Sequence, residues 1–404
     1  MLFSHLPAWN SGKLIAFSGI DGSTDYSNGL TLRSSFAFYG IEIKLPGEGR
    51  IMFDVRTGEN DFLAGDCYSL GGGDLKGVFL DAHHFLISGN CLVEVDDETI
   101  SCSEKDGRYL IAVKSFLNEA LIDSDIDVEI EKRLSWLNSF EAPLDRDPGV
   151  WALALSQMKT QVYSPHGQIK HFWTTPDRWP HRKMWLWDSV FHAMGFRHLA
   201  PELAKDALDS VLDFQREDGF IPLCAPDFSI EFTQPPVLAL GYKKVNEIVK
   251  DKQWIEKAYP KLKAYIEWDL KNRDSDGAGL VEWAIEGNKN CRSGESGMDN
   301  SSRFDSATHL DAVDFNSMLA LECETMAEFA EQIGNGEEAF WREKHLSLCS
   351  LINERLWNEE EGFYFDYDVD NDKMSSVMAN SGFLPLICGA ATKTQAEKLF
   401  RVLP

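Results

Sequence analysis

The chain has 404 residues, enough to bury a large core and, on length alone, to form a small and a large domain. Its formal charge of −26 produces a field that repels nucleic acid and anionic membrane surfaces, leaving neutral partners favoured. Eight cysteines lie scattered with neither a CxxC pair nor zinc spacing, which predicts reduced, mostly buried thiols and a cytoplasmic setting. The start, from Met1 to Trp9, has no basic segment followed by an apolar run, and no later stretch reaches the roughly 18 apolar residues of a membrane span.

From residue 12 to about 133 the apolar residues come in short runs, such as Leu14-Ile15-Ala16-Phe17 and Leu110-Ile111-Ala112-Val113. Turn pairs such as Asp21-Gly22, Asn28-Gly29 and Asp106-Gly107 separate them. That spacing predicts an all-β sandwich over residues 1–133. The run Gly71-Gly72-Gly73-Asp74 reads as a turn, because another short apolar strand follows it and no helix start carrying Lys-Ser/Thr does. A linker is expected over 134–147.

After residue 145 the period becomes helical, with Val150, Leu153, Ala154, Met158 and Val162 recurring at three and four. About nine helices are predicted, near 148–163, 187–199, 201–216, 235–248, 251–270, 311–334, 336–357, 374–391 and 393–402. Pro201 and Asp311 act as start signals, and Gly362 as a stop after Trp357. Long loops remain at 164–186, 217–234 and 271–310, and loops of that length in a compact domain are usually functional.

The most informative loop is Gly294-Glu295-Ser296-Gly297-Met298-Asp299-Asn300-Ser301-Ser302-Arg303-Phe304-Asp305. Three carboxylates and a guanidinium among glycines and serines suit the presentation of a proton donor, with Asp299 the best acid and Arg303 organising the loop. An Asp that merely caps the Asn300–Arg303 turn is the plain alternative. Around Trp185, Trp187 and Asp188, after Trp179, aromatic faces and a carboxylate meet at a loop-to-helix boundary, a combination suited to a pyranose. Core packing of Trp187 and an N-terminal helix charge at Asp188 explain the same residues.

These two segments resemble those of the family 63 and mannosylglycerate-hydrolase-like glycoside hydrolases, with trehalases as more distant relatives. The resemblance covers residues 145–404 well and the β region loosely. It implies an α+β multidomain fold, an N-terminal β-sandwich followed by an (α/α)6 toroid over 148–404, with about nine of its twelve helices present and the C-terminal ones missing. It implies Asp299 as general acid, Trp187 and Asp188 lining the sugar subsite, and Gln215, Asp218 and Gln234 contacting hydroxyls. Asn300 and Arg303, in the acid's loop, are expected as further substrate contacts. Trp283 suits a sugar platform and a core position equally, and Asp218-Gly219 also reads as an ordinary helix stop.

The implied reaction is inverting hydrolysis of an α-linked glucoside or mannoside, an oligosaccharide or small glycoside, without a cofactor. The family's general base is a Glu several helices beyond the acid, and no segment between Asp299 and Pro404 looks like it. A catalytically incomplete carbohydrate-binding protein on the same scaffold is therefore the alternative. No metal is expected: the ten His are dispersed, and the acidic run Asp366–Asp372 lacks the Gly and terminal Glu of a calcium loop.

Overall fold

The computed structural model describes residues 12–37, 40–53, 61–141, 147–179, 182–227, 229–286, 290–305 and 307–402. The chain divides into two compact units, residues 1–183 and 184–404.

In the first unit, β1 (Leu14–Ala16), β2 (Thr31–Ala37), β3 (Gly40–Lys44) and β4 (Arg50–Phe53) form antiparallel neighbours, and β9 (Leu92–Glu94) closes a five-stranded sheet against β4. A second antiparallel sheet runs β10-β11-β8-β7-β6-β5. Its strands are β5 (Phe62–Leu63), β6 (Cys67–Leu70), β7 (Leu75–Phe79), β8 (His84–Ser88), β10 (Ile100–Lys105) and β11 (Arg108–Val113). Alternation places Ile15, Leu32, Ile43, Ile51 and Phe53 of the first sheet in one buried cluster with Tyr68, Leu75, Phe79, Phe85, Ile87 and Ile111 of the second. The triple glycine is a turn between β6 and β7, its Gly71 and Gly72 amides donating to the Asp61 carboxylate at 3.0 and 2.9 Å.

Among the described residues two α-helices also belong to this unit. In α1 (Ile126–Asn138) the Asp125 side chain accepts from the Asp127 and Val128 amides, and Ile126, Ile130, Leu134 and Leu137 form the buried face. The strand-rich region thus ends earlier than residue 133, and the four-and-three spacing of those apolar residues is the reason. The expected linker starts inside α1, and its residues 142–146 lie outside the described ones, as do Pro180 and His181 of the Trp-rich segment. Helix α2 (Pro148–Thr160) is capped by Asp147, with Pro148 at the first-turn position where no amide is needed.

The second unit contains α3 (Leu186–Phe196), α4 (Pro201–Leu212), α5 (Leu238–Val249), α6 (Lys252–Asn272), α7 (Val313–Ile333), α8 (Glu338–Leu351) and α9 (Lys393–Val402). Helix α3 packs on α4 and α5, and α7 packs on α8, α6 and α5. Helix α7 stops at Gly334, whose φ of +76° only glycine adopts without strain. The helix predicted over 374–391 is absent. That stretch holds an extended piece and a short 3-10 turn, Asn380–Leu386, because Pro385 lacks an amide and Gly382 packs against the Phe363 ring. Among the described residues no helix is long and apolar enough to cross a membrane.

Candidate active site

The loop bearing Asp299 is pinned from behind. The Asp299 carbonyl accepts the Arg292 amide at 2.7 Å and the Ser293 amide at 3.3 Å, which closes the loop on itself. Glu295 is wholly buried and fully used. Its Oε1 accepts the Thr233 amide (2.8 Å) and Arg273 Nη2 (2.6 Å), and its Oε2 accepts the Ala284 amide (2.9 Å). One carboxylate therefore joins the 230s loop, the end of α6 and the strand-like segment before the loop.

Arg303 anchors the far end. Its Nη1 and Nη2 donate to Asp314 at 2.5 and 2.9 Å, and its Nε and Nη2 donate to Asp366, both at 2.7 Å. The side chain is 2% exposed, so it organises the loop and is not a sugar contact. Trp283 is likewise core: its Nε1 donates to Asp314 at 2.9 Å and its ring stacks on Phe315 at 3.9 Å. Both positions correct the expectation of substrate contact, since neither side chain presents a face to solvent. The carboxyl of Asp314 is held down by the guanidinium despite burial, the force that raises the Arg303 pKa in turn.

With its back fixed, the loop leaves Asp299 and Asn300 exposed, Asn300 Oδ1 accepting a long 3.4 Å bond from Arg292. Gly297 (φ +68°) brings the backbone onto the Trp187 indole, where a Cβ would sit 2.5 Å from Cζ2. Trp187 stands in the first turn of α3, half-buried and edge-on to Phe191 at 5.9 Å. Its amide donates to Gln234 Oε1 at 3.1 Å, and the Gln234 carbonyl accepts the Tyr265 hydroxyl at 3.1 Å. Asp188 follows, also half-buried, and burial pushes its carboxyl above the usual range. The loop that carries Asp299 and Asn300 thus packs through Gly297 on Trp187, whose amide bonds Gln234 and which precedes Asp188.

Gln215 and Asp218 belong to a separate turn. Gln215 Nε2 donates to the carbonyls of Gly219 (3.0 Å) and Lys261 (2.7 Å). The exposed Asp218 accepts the Phe220 amide (3.1 Å) and Trp268 Nε1 (3.3 Å). Those bonds brace the turn against α6. The sequence reading missed the bracing role of Glu295, which one-dimensional spacing does not show. It also missed the acidic group of exposed Asp276 with buried Glu282 and Asp311, for which Asp274-Ser275-Asp276-Gly277 was the available signal.

Along the chain, antiparallel sheets are followed by packed helices and by a carboxylate loop that rests on a half-buried tryptophan. A mannosylglycerate hydrolase of family GH63 from Thermus thermophilus, solved in complex with glucose, superposes with a TM-score of 0.51 at 23% identity, over 59% of this chain and 72% of that one. Residues 181–403 match the profile of the mannosylglycerate hydrolase MGH1-like glycoside hydrolase domain, and the chain belongs to that family. The mannosylglycerate hydrolase MGH2 of Selaginella moellendorffii is 30% identical over 311 residues, 57% of this chain and 62% of the plant protein. Human trehalase is 23% identical over 51% of this chain and 44% of its own length. The chain therefore spans less than two thirds of these two relatives.

Proposed function

We propose that this protein hydrolyses an α-linked glucoside or mannoside with inversion, with Asp299 protonating the leaving oxygen. The observation that carries the reading is the seating of the Asp299 loop on Trp187. It puts the loop that carries the exposed Asp299 against the Trp187 indole, next in sequence to Asp188, while Glu295 and Arg303 hold the loop on either side of Asp299. Preorganisation of that kind holds an acid within reach of a bound sugar. The names of the relatives, mannosylglycerate hydrolase and trehalase, support an α-glycoside as substrate class. On this reading the helices of the second unit belong to an (α/α)6 toroid, and Gln234 helps orient the sugar by fixing the start of α3.

Inversion requires a second carboxylate, about 6.5–9.5 Å from the acid across the sugar, to activate water. Three nearby acids are already committed. Glu295 is saturated by three donors, Glu282 accepts from Ser275 (Oγ 2.8 Å), and Asp305 pairs with Arg292 at 2.5 Å.

The test is a panel of α-glucosides and α-mannosides, including mannosylglycerate and trehalose, given to the full-length gene product and followed by NMR for the first anomer released. Release of the inverted anomer, with Asp299→Asn reduced at least about 10²-fold, is the expected result. Release of the retained anomer overturns the mechanism. Sugar binding without turnover, unaltered in Asp299→Asn, overturns hydrolysis in favour of a carbohydrate-binding protein.

A further inference from the structure

Arg33 of β2, Glu42 and Lys44 of β3 and Arg50 of β4 share one face of the five-stranded sheet, because Arg33 pairs with Lys44, Lys44 with Arg50, and Glu42 alternates in step with Lys44. The intervening Leu32, Ile43 and Ile51 belong to the buried cluster, so this charged face is the outer one. Arg33 fixes a second piece of chain on it. Its Nη2 donates to the Asp177 carboxylate at 2.6 and 2.7 Å and to the Trp179 carbonyl, while Asp177 Oδ1 accepts the Trp179 amide at 2.9 Å. A cleft of about 360 Å³ opens there, lined by Trp179, Arg33, Glu42, Lys44, Glu48 and Arg50. That volume falls at the small end of small-molecule sites, which run from about 300 to 1,000 Å³.

Two groups in the cleft point to a ligand. Glu42 is 7% exposed, yet among the described residues its carboxylate has neither a hydrogen bond nor an ion pair. A carboxylate that deep is costly to the fold until a bound molecule supplies a donor. Trp179 is half-buried, and among the described residues its ring stacks on no other aromatic and its indole N–H is unbonded. The other charges largely cancel: Arg33 pairs with Asp177, and Arg50 Nε donates to Glu94 at 2.8 Å. That leaves the exposed Lys44 ammonium with the Glu42 and Glu48 carboxylates, a balance that does not attract anions. An acceptor, two donors and an aromatic face together match a ring that carries hydroxyls and no charge.

We propose that this cleft is a non-catalytic binding site for one pyranose unit of a neutral saccharide. Trp179 stacks on the ring, Glu42 accepts from hydroxyls, and Lys44 donates to them. Arg33 acts through Trp179, by holding its backbone on the sheet. The site lies inside the first unit, on residues that precede the stretch 181–403 matched by the family profile, and it does not depend on Asp299 being an acid. For a single hexose ring the expected Kd is on the order of 1–10 mM.

The test reads Trp179 itself and needs no turnover. The full chain is labelled with 5-fluorotryptophan, and the Trp179 and Trp187 resonances are assigned by their loss in Trp179→Phe and Trp187→Phe. Glucose, mannose, trehalose and maltotriose are then titrated to about 100 mM, with glucuronate as the charged control. At least one neutral sugar is expected to shift the Trp179 resonance saturably. Glucuronate is expected to bind at least about threefold more weakly, since its carboxylate meets those of Glu42 and Glu48. Glu42→Gln is expected to weaken the response at least about threefold while Tm stays level or rises, because the uncompensated charge is gone. Lys44→Ala, at an exposed position that leaves the sheet intact, is expected to weaken it at least about twofold. A Trp179 resonance that no neutral sugar moves overturns the proposal, including the case in which the Trp187 resonance alone responds. So does a response unaltered in both Glu42→Gln and Lys44→Ala, and tighter binding of glucuronate than of glucose overturns the assignment to a neutral saccharide.

Discussion

Arg303 shows how a residue's role is decided by what surrounds it. In the sequence it is a basic side chain four residues after the acid; in the structure it is enclosed by Asp314 and Asp366 at 2.5 to 2.9 Å. Removing one member of such a buried set leaves charge without compensation. Arg303→Met is expected to lower unfolding stability by about 3–5 kcal/mol in urea denaturation, and Arg303→Lys to recover little because an ammonium cannot fork to two carboxylates. A loss below about 1 kcal/mol for the methionine variant contradicts this account. Gly297 is the second sensitive residue, since a side chain there meets the Trp187 indole at a backbone conformation L residues rarely adopt. Gly297→Ala is expected to cut turnover far more than it lowers Tm, by lifting Asp299 from its seat. Equal activity of the variant and wild type counts against that seating.

At the scale of elements, the polar side chains that join helices and loops carry the pH response. Glu322 on α7 accepts the Ala239 and Leu240 amides at the start of α5, at 2.7 and 2.8 Å. Burial nevertheless dominates and pushes its carboxyl up to about 8 from an ordinary 4.5. The unfolded chain releases that proton near 4.5 and the folded chain holds it until about 8. This contribution to stability is therefore full below pH 4.5 and declines as pH rises through the window. In Glu322→Gln, which keeps an acceptor and loses the titration, the fall in Tm between pH 5 and 8 is expected to be shallower than in wild type; parallel Tm profiles rule out Glu322 as the source. Helices α3 to α7 were legible from their apolar period, and α4 also from Pro201 in its first turn; Asp311 is not the cap of α7, which starts after Ala312 without a side-chain cap. The segment 374–391 was not legible, because apolar spacing alone does not report the break that Pro385 and Gly382 impose.

At the scale of the whole molecule the net charge of −26 sets the long-range field. An anionic glycoside approaches against that field and a neutral one does not. Raising ionic strength from about 20 to 200 mM shortens the screening length from roughly 20 Å to less than 10 Å. Over that range kcat/KM is expected to rise for mannosylglycerate and to stay level for trehalose, to whatever extent each is turned over. A fall for the anionic substrate instead means that local cations at the site outweigh the global charge.

The sequence by itself determined the succession of strand-rich and helix-rich regions, because side-chain period follows from backbone geometry and survives without tertiary contacts. It also displayed the carboxylates of the 294–305 loop and the Trp187-Asp188 pair, since those residues are contiguous. Only the tertiary structure decided which of the remaining polar residues are tied into the scaffold. Gln234 joins Trp187 across 47 positions, Glu295 reaches Thr233 across 62, and Asp366 meets Arg303 across 63. Spacing along the chain carries no record of such pairings: they arise when helices and loops pack, and burial then turns a candidate contact such as Arg303 or Trp283 into part of the scaffold.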